Sequence, residues 1–516
     1  MKKQNKNIRN YLRGLNFKKL LNSNSLWAII LVFIKSAIGF FLVPYITRHV
    51  GIEAYGFVAL ANTMITYLDI VAISFNYFAQ RYISVAYHQG DYTLSKKYYS
   101  SIIVANEILC IISIVPLLVF VLFLEHFIKI SEYLVFDVKL LFGFVLLRYY
   151  ISLFATPFEN GSFLKDRYDV IAKNKVFSSI VQVFTIVCLF GFVDKKIYYV
   201  GIAAVAYDSC NFILQFAAKQ KYTPLLKYNI EEFSVSSIKT FFAKGIWVSI
   251  NNVGNLLNSG LDLLITNLMI SETVMGQISV AKMISTMTYS FISGVSESFK
   301  AKQLKLYSEG KAELIDELKY AMKISGILYI AISGIIIACG ENFIELWVKN
   351  QDVSTIYILM LICVFSDFIP SIMKPLYYVY TMTTKMLIPC IITISMGVLN
   401  VLSMYLLLKY TSLGGYAVVL TTMVINLIHL VDSPIYSAHC LHQKATIFYD
   451  VVLVYLISFM INGIICTLVS KIVSTGQSWF TLVFKMIIVG GIGGGIAFMI
   501  MTNKKEKKRI IQAIWM

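Results

Sequence analysis

LWAIILVFIKSAIGFFLVPYI, Leu26 to Ile46, is an apolar run interrupted by a single charge, Lys35. A helix needs about 20 mostly apolar residues to cross the hydrocarbon of a bilayer, so this run is long enough to do so. An ammonium near its middle costs about 2.5–3.5 kcal/mol on insertion scales and needs a reason. The rest of the chain repeats the pattern. Of its 516 residues 58% are hydrophobic and 14% charged, and the mean hydropathy is +0.72. Soluble domains carry about 25% charged residues. The composition specifies an all-α, polytopic membrane protein.

Fourteen spans are expected: 26–47, 56–78, 100–124, 133–155, 172–193, 197–218, 245–268, 274–299, 321–340, 353–379, 386–408, 413–436, 446–470 and 478–501. The basic segment over residues 1–25 lacks the apolar core and cleavage site of a signal peptide. Placing it in the cytoplasm puts 33 of the 45 Lys and Arg residues on cytoplasmic segments and their immediate flanks and 7 on external ones, with the other five inside spans: Lys35, Lys139, Arg148, Lys282 and Lys485. This is the asymmetry that orients membrane proteins. It predicts cytoplasmic N- and C-termini and an even number of spans in a bacterial cytoplasmic (inner) membrane. The formal net charge of +17 then faces anionic lipid headgroups. No extramembrane segment is large enough for a nucleic-acid surface, for a catalytic domain or for the big external loop of a glycan polymerase. The longest cytoplasmic connections are expected at about 78–99, 156–171, 219–244 and 300–320. The eight cysteines are scattered without metal-ligand or redox spacing and read as small packing residues. No catalytic residue, metal or cofactor is expected. Gly490–Gly495 (GGIGGG) lacks the Lys-Ser/Thr of a phosphate loop and reads as close helix packing.

The chain is built twice. A shift of 220 residues brings Trp27 onto Trp247, Gly56 onto Gly276, Ala61 onto Ala281 and Thr66 onto Thr286. The expected domains are a cytoplasmic N-terminus (1–25), an N-lobe of six spans (26–225), a C-lobe of six (226–440), and spans 13 and 14 with a basic cytoplasmic tail (441–516). Six spans per repeat gives both lobes one orientation, a transporter plan with the substrate path between them. Polar stripes recur at equivalent places. Asn251, Asn255, Asn258 and Asp262 are spaced 4, 3, 4 and share a face at 100° per residue. Lys282 and Thr286 begin a similar stripe in span 8, and Asn62, Thr66, Asp69 and Asn76 form one in span 2. Lipid cannot solvate such faces, so they are expected to line a hydrated cavity, with Lys35 looking into it. Asp262 and Asp69 would neutralise cations or carry a coupling H⁺ or Na⁺. Trp27 and Trp247 read as interfacial anchors.

After span 1 comes PYITRHVGIEAYG, Pro44 to Gly56, a tight external turn, and further on Asn76 precedes QRYIS, Gln80 to Ser84. With the basic N-terminus and the span pattern, these features resemble the Wzx-type polysaccharide repeat-unit flippases of the multidrug/oligosaccharidyl-lipid/polysaccharide exporter superfamily. The resemblance implies a V-shaped, MATE-like pair of six-helix lobes plus two C-terminal helices, with spans 1, 2, 7 and 8 lining a portal and cavity. It implies a polyprenyl-diphosphate-linked oligosaccharide, a precursor of O-antigen, capsule or exopolysaccharide, flipped by alternating access. It also implies cationic residues around the diphosphate or acidic sugars: Lys35, Arg48, Arg81, Arg148 and Lys282. Arg48 and Arg81 match the motif, and the others follow from depth. Position 268, the repeat equivalent of Arg48, is Leu, so any anion path is asymmetric. The alternatives are a multidrug/cation antiporter of the same superfamily, which would want an acidic cavity, and a lipid II-type flippase. An intramolecular cavity predicts a monomer.

Overall fold

The computed structural model describes residues 24–473 and 478–515. Of the N-terminal segment expected to be cytoplasmic, residues 1–23 lie outside them. The main helices are α1 (Asn24–His49), α2 (Ile52–His88), α3 (Tyr92–Leu122), α4 (Val135–Phe163), α5 (Tyr168–Phe192), α6 (Tyr198–Tyr222), α7 (Val235–Asn255), α8 (Asp262–Met269), α9 (Glu272–Ser308), α10 (Glu313–Trp347), α11 (Val353–Met382), α12 (Leu387–Tyr410), α13 (Gly415–Asn426), α14 (Asp432–Cys440), α15 (Tyr449–Ile472), α16 (Trp479–Met501) and α17 (Lys504–Trp515). Among the described residues, twelve helices are long and apolar enough to cross a membrane. Every expected span coincides with helix, but two are not among the twelve. Span 245–268 is broken by a π-turn at Leu256–Gly260, and span 274–299 lies in α9, whose Lys, Ser, Thr and Tyr residues dilute its apolar character.

The long connections expected to be cytoplasmic are mostly not loops. Helices α2 and α3 run to within three residues of each other at Gly90 (φ 82°), and α9 and α10 turn at Gly310 (φ 62°). Both glycines hold left-handed backbone that L-residues avoid, and they are related by the 220-residue shift. The connection that stays irregular is 223–234. It is fastened to α3, where Ser100 Oγ and Ser101 Oγ accept the backbone N–H of Asn229 (3.1 Å) and Ser234 (3.0 Å).

The residues fall into two compact units, one of Met1–Val50 and Phe57–Asn252, the other of Gly51–Gly56 and Val253–Met516. In the first, α4 lies along α6, and α5 packs on both α6 and α1. In the second, α11 is enclosed by α9, α10 and α13, while α15 and α16 pack on α10. Tyr455 of α15 is fully buried, stacks on Phe368 at 4.6 Å and donates to the Phe368 carbonyl (2.9 Å). Spans 13 and 14 are thus part of the second unit's core. Residues 51–56 join the same unit because Gly56 meets Gly276. A Cβ on Gly276 would lie 2.3 Å from the Ile52 carbonyl oxygen. Helix α17 is tied down on α10 by Arg509 on Glu317 (2.8 Å) and by Lys323 on Glu506 (2.9 Å).

Large apolar side chains stand exposed along the helices, among them Ile111, Ile112, Val115, Phe184 and Met499. Water penalises such a surface and lipid tails do not. The chain is a multi-pass membrane protein.

Candidate functional site

In the first unit three intramembrane charges converge. Arg148 of α4 donates from Nε to Asp208 of α6 at 2.6 Å and from Nη1 to Asn62 of α2 at 3.1 Å. The Asp208 side chain is 6% exposed and that of Arg148 27%. A carboxylate at that depth requires a paired cation, and the rigid guanidinium bonds Asp208 and Asn62 at once. Lys35 of α1 is exposed, and its ammonium lies 5.3 Å from the centroid of the Tyr207 ring. Lys175, Arg148 and Asp208 are the charges whose fields act on it. Asp69 of α2 lies within reach of the same Arg148 and Asp208 charges. Lys175 of α5 pairs with Glu159 at 2.9 Å. Five helices, α1, α2, α4, α5 and α6, thus present a cluster with three cations, Lys35, Arg148 and Lys175, one of them held by a buried carboxylate and one facing outward on an aromatic ring. Such a cluster can hold a multiply charged anion through charge-assisted hydrogen bonds.

In the second unit Lys282 of α9 is bound to Asp262, Nζ to Oδ2 at 2.5 Å, and to the Ser259 carbonyl at 2.9 Å. Asp262 is 2% exposed, so its charge is committed to this lysine. Ser285 donates to Asp367 of α11. Beside the π-turn a ladder of amides crosses the helices: Asn400 donates to the Asn258 carbonyl (2.5 Å) and to Thr422 (3.2 Å), Asn258 to Asn426 (3.1 Å), and Asn426 to Ser366 (3.0 Å).

Of the expected site residues, Lys35, Asn62, Asp69 and Arg148 come together in the first unit. Asn258, Asp262 and Lys282 lie around the π-turn in the second. The even stripe expected over Asn251, Asn255, Asn258 and Asp262 does not form. The turn at Leu256–Gly260 winds more slowly than 100° per residue, so Asn255 is exposed while Asp262 is buried. Thr286 is exposed. Asn76 is apart, exchanging amide hydrogen bonds with the buried Asn106 (3.2 and 3.3 Å). Arg48 ends α1, exposed, and Arg81 is exposed on α2, away from the cluster. Trp27 lies under the Lys173 ammonium at 5.5 Å. Sequence reasoning missed Lys175, which reads as a cytoplasmic flank, and the partnership of Asp208 with Arg148, whose positions are 60 residues apart. It also missed Asn106, Asn400 and Asn426, single amides inside apolar spans. The eight cysteines are free thiols.

The fold recurs in solved structures. The chain is 14% identical to the lipid II flippase MurJ in an inward-closed conformation, over 92% of this chain and 99% of that one, with a TM-score of 0.65. It is equally 14% identical to an inward-facing multidrug-resistance transporter of the MATE family in the MOP superfamily, over 80% and 94%, with a TM-score of 0.61. At these identities the likeness is one of fold: the chain has the MATE-like fold of the MOP superfamily. Among curated proteins it is 24% identical over 475 residues to EpsK, an uncharacterized membrane protein of Bacillus subtilis (strain 168), covering 91% of this chain and 93% of EpsK. Residues 21–298, more than half the chain, match the polysaccharide biosynthesis protein family. With that match beside the fold and the membrane spans, the chain belongs to the polysaccharide biosynthesis protein family.

Proposed function

We propose that the protein is a flippase that moves polyprenyl-diphosphate-linked oligosaccharide repeat units across the bacterial cytoplasmic membrane by alternating access. The observation that carries this reading is the cation cluster of the first unit. Lys35 is exposed at mid-span without a carboxylate of its own, beside Arg148 and Lys175. An unpaired ammonium at that depth is costly, and a diphosphate would offset the cost. Family membership points to polysaccharide assembly. One structure sharing the fold is a flippase for lipid II, so the fold is able to move a lipid-borne cargo.

In this mechanism Lys35, Arg148 and Lys175 hold the diphosphate while Asp208 keeps the Arg148 guanidinium oriented. The polyprenyl chain stays in lipid. No covalent bond is made or broken. The termini are cytoplasmic and the protein works as a monomer. The committed Asp262–Lys282 pair disfavours an antiporter that binds a drug cation on that carboxylate.

The test is complementation. The gene is deleted in its host, and surface polysaccharide and lipid-linked intermediate are assayed after reintroducing wild type or Lys35→Ala at matched membrane levels. Loss of surface glycan with build-up of intermediate, rescued by wild type and not by Lys35→Ala, is the expected result. Unchanged glycan with altered drug or cation sensitivity would favour the antiporter.

A further inference from the structure

A groove lies between α3 and α7 on the exposed surface of the first unit. Its volume is about 370 Å³, within the range of about 300–1,000 Å³ that small-molecule sites span. On α3, Ala105, Ile108 and Ile112 are spaced 3 and 4 and share one face. On α7, Lys239, Phe242 and Ala243 form the opposite wall. The two alanines leave the space between the larger side chains. Behind the groove the helices are fixed to each other. Phe241, fully buried, packs on Tyr98 of α3 at 5.6 Å and on Tyr82 of α2 at 5.8 Å. Ser101 of α3 holds the N–H of Ser234, the residue before α7, at 3.0 Å. The groove is therefore preformed.

Its lining is apolar except for one cation. Ile112 is 67% exposed and Phe242 45%, a surface that water penalises and an acyl chain does not. Lys239 lies in the first turns of α7, in the connection expected to be cytoplasmic, while Ile112 lies well inside span 3. The charge is thus at the membrane-edge end of the groove and the apolar wall at the deeper end. Among the described residues no carboxylate pairs with Lys239. Glu107, the one carboxylate on α3, is turned away from the groove at 100° per residue and accepts from the Tyr228 hydroxyl at 3.4 Å. The complement of this surface is an amphiphile with a negative head and an apolar chain. A neutral lipid has no use for the lysine, and a free phosphate has none for the groove. Anionic lipids of a cytoplasmic leaflet attract lysines at that level.

We propose that this groove is a binding site for an anionic phospholipid, its phosphate held by Lys239 and one acyl chain lying along Ile108, Ile112 and Phe242. The inference goes beyond the flippase reading and does not depend on it. The ammonium donates charge-assisted hydrogen bonds to the phosphate oxygens, and the acyl chain covers the apolar wall. A lipid so placed touches both α3 and α7, and its occupancy follows the anionic lipid content of the membrane.

The test uses the full chain in detergent micelles, with phosphatidylglycerol carrying a diazirine on one acyl chain as the probe. After illumination, adducts are expected within residues 105–112 and 238–243. Unlabelled phosphatidylglycerol is expected to suppress them at a concentration about fivefold below that of phosphatidylcholine, the worth of one lysine at an anionic surface. That ratio is expected to fall to about one in Lys239→Gln and to be kept in Lys239→Arg. In Ala243→Phe, whose ring fills the groove, the adducts in both segments are expected to disappear. Lys239 and Ala243 are both exposed, so the variants are expected to keep the wild-type thermal midpoint in lipid-free detergent. Equal suppression by the two phospholipids in wild type, or a ratio unchanged in Lys239→Gln, marks an unselective lipid shell and overturns the proposal. Adducts that fall outside both segments, or that persist in Ala243→Phe, overturn it too. Suppression by a polyprenyl diphosphate at a lower concentration than phosphatidylglycerol assigns the groove to the tail of the flippase cargo and overturns the phospholipid site.

Discussion

Replacing Arg148 by Met keeps the bulk of the side chain and removes its charge and both hydrogen bonds. Asp208 is then a carboxylate 6% exposed, with no cation on it. Breaking a buried pair costs about 3–5 kcal/mol, because the remaining charge is left uncompensated. Arg148 is itself 27% exposed, so water screens part of that charge and the low end, about 3 kcal/mol, applies. The lost Asn62 bond adds up to about 1 kcal/mol. For a unit of this size each kcal/mol moves the midpoint by about 2–4 °C, so a loss of about 3–4 kcal/mol gives a fall of about 6–16 °C. The assay is thermal loss of the monodisperse peak in detergent, run for Arg148→Met, Asp208→Asn and the double variant. Asp208→Asn added to Arg148→Met should recover at least half the loss, because it removes the stranded charge. An Arg148→Met midpoint within 1 °C of wild type would refute the reasoning, as would a double variant as unstable as the sum of the singles.

Lys282→Met should behave like Arg148→Met and be rescued by Asp262→Asn, since Asp262 is still more buried; a stable Lys282→Met measured the same way contradicts the pairing. Gly276→Ala should lower the midpoint by more than 5 °C, because its Cβ would sit 2.3 Å from the Ile52 carbonyl oxygen. Gly310→Ala, in open space at φ 62°, should cost only the left-handed backbone penalty of about 1–2 kcal/mol. Asp352 caps α11 by accepting from the Thr355 N–H at 3.1 Å, and the side-chain and backbone hydrogen bonds of Thr355 hold its carboxyl below the usual range. Its folded pKa is depressed, so its stabilisation is present above the ordinary Asp range and fades as pH falls through the lowered value. The difference between wild type and Asp352→Ala, about 1 kcal/mol at pH 7, should accordingly shrink as pH falls below the ordinary Asp range.

The spans were legible because each is an uninterrupted apolar segment, a local property. The same holds for Lys35, whose charge inside such a segment is conspicuous. The pairing of Arg148 with Asp208 was not, since contact between positions 60 residues apart depends on how α4 and α6 pack. Lys175 looked like a membrane-edge lysine until α5 was seen to carry it beside Glu159 and the Lys35 site. The π-turn defeated a stripe drawn at constant pitch.

The sequence by itself determined the class, the helix positions and the charge asymmetry. Hydrophobic length, Lys/Arg placement and the 220-residue register each depend on residues near one another or on simple counting. Gly90 and Gly310 then proved equivalent turns, which that register had implied. Tertiary structure alone decided which intramembrane charges are neutralised and which are left over. Inside a low-dielectric environment a charge's role is set by whatever stands within a few ångströms of it. Asp208 claims Arg148, Asp262 claims Lys282, and Lys35 is left facing outward on Tyr207, and none of these outcomes is written in the spacing of the chain.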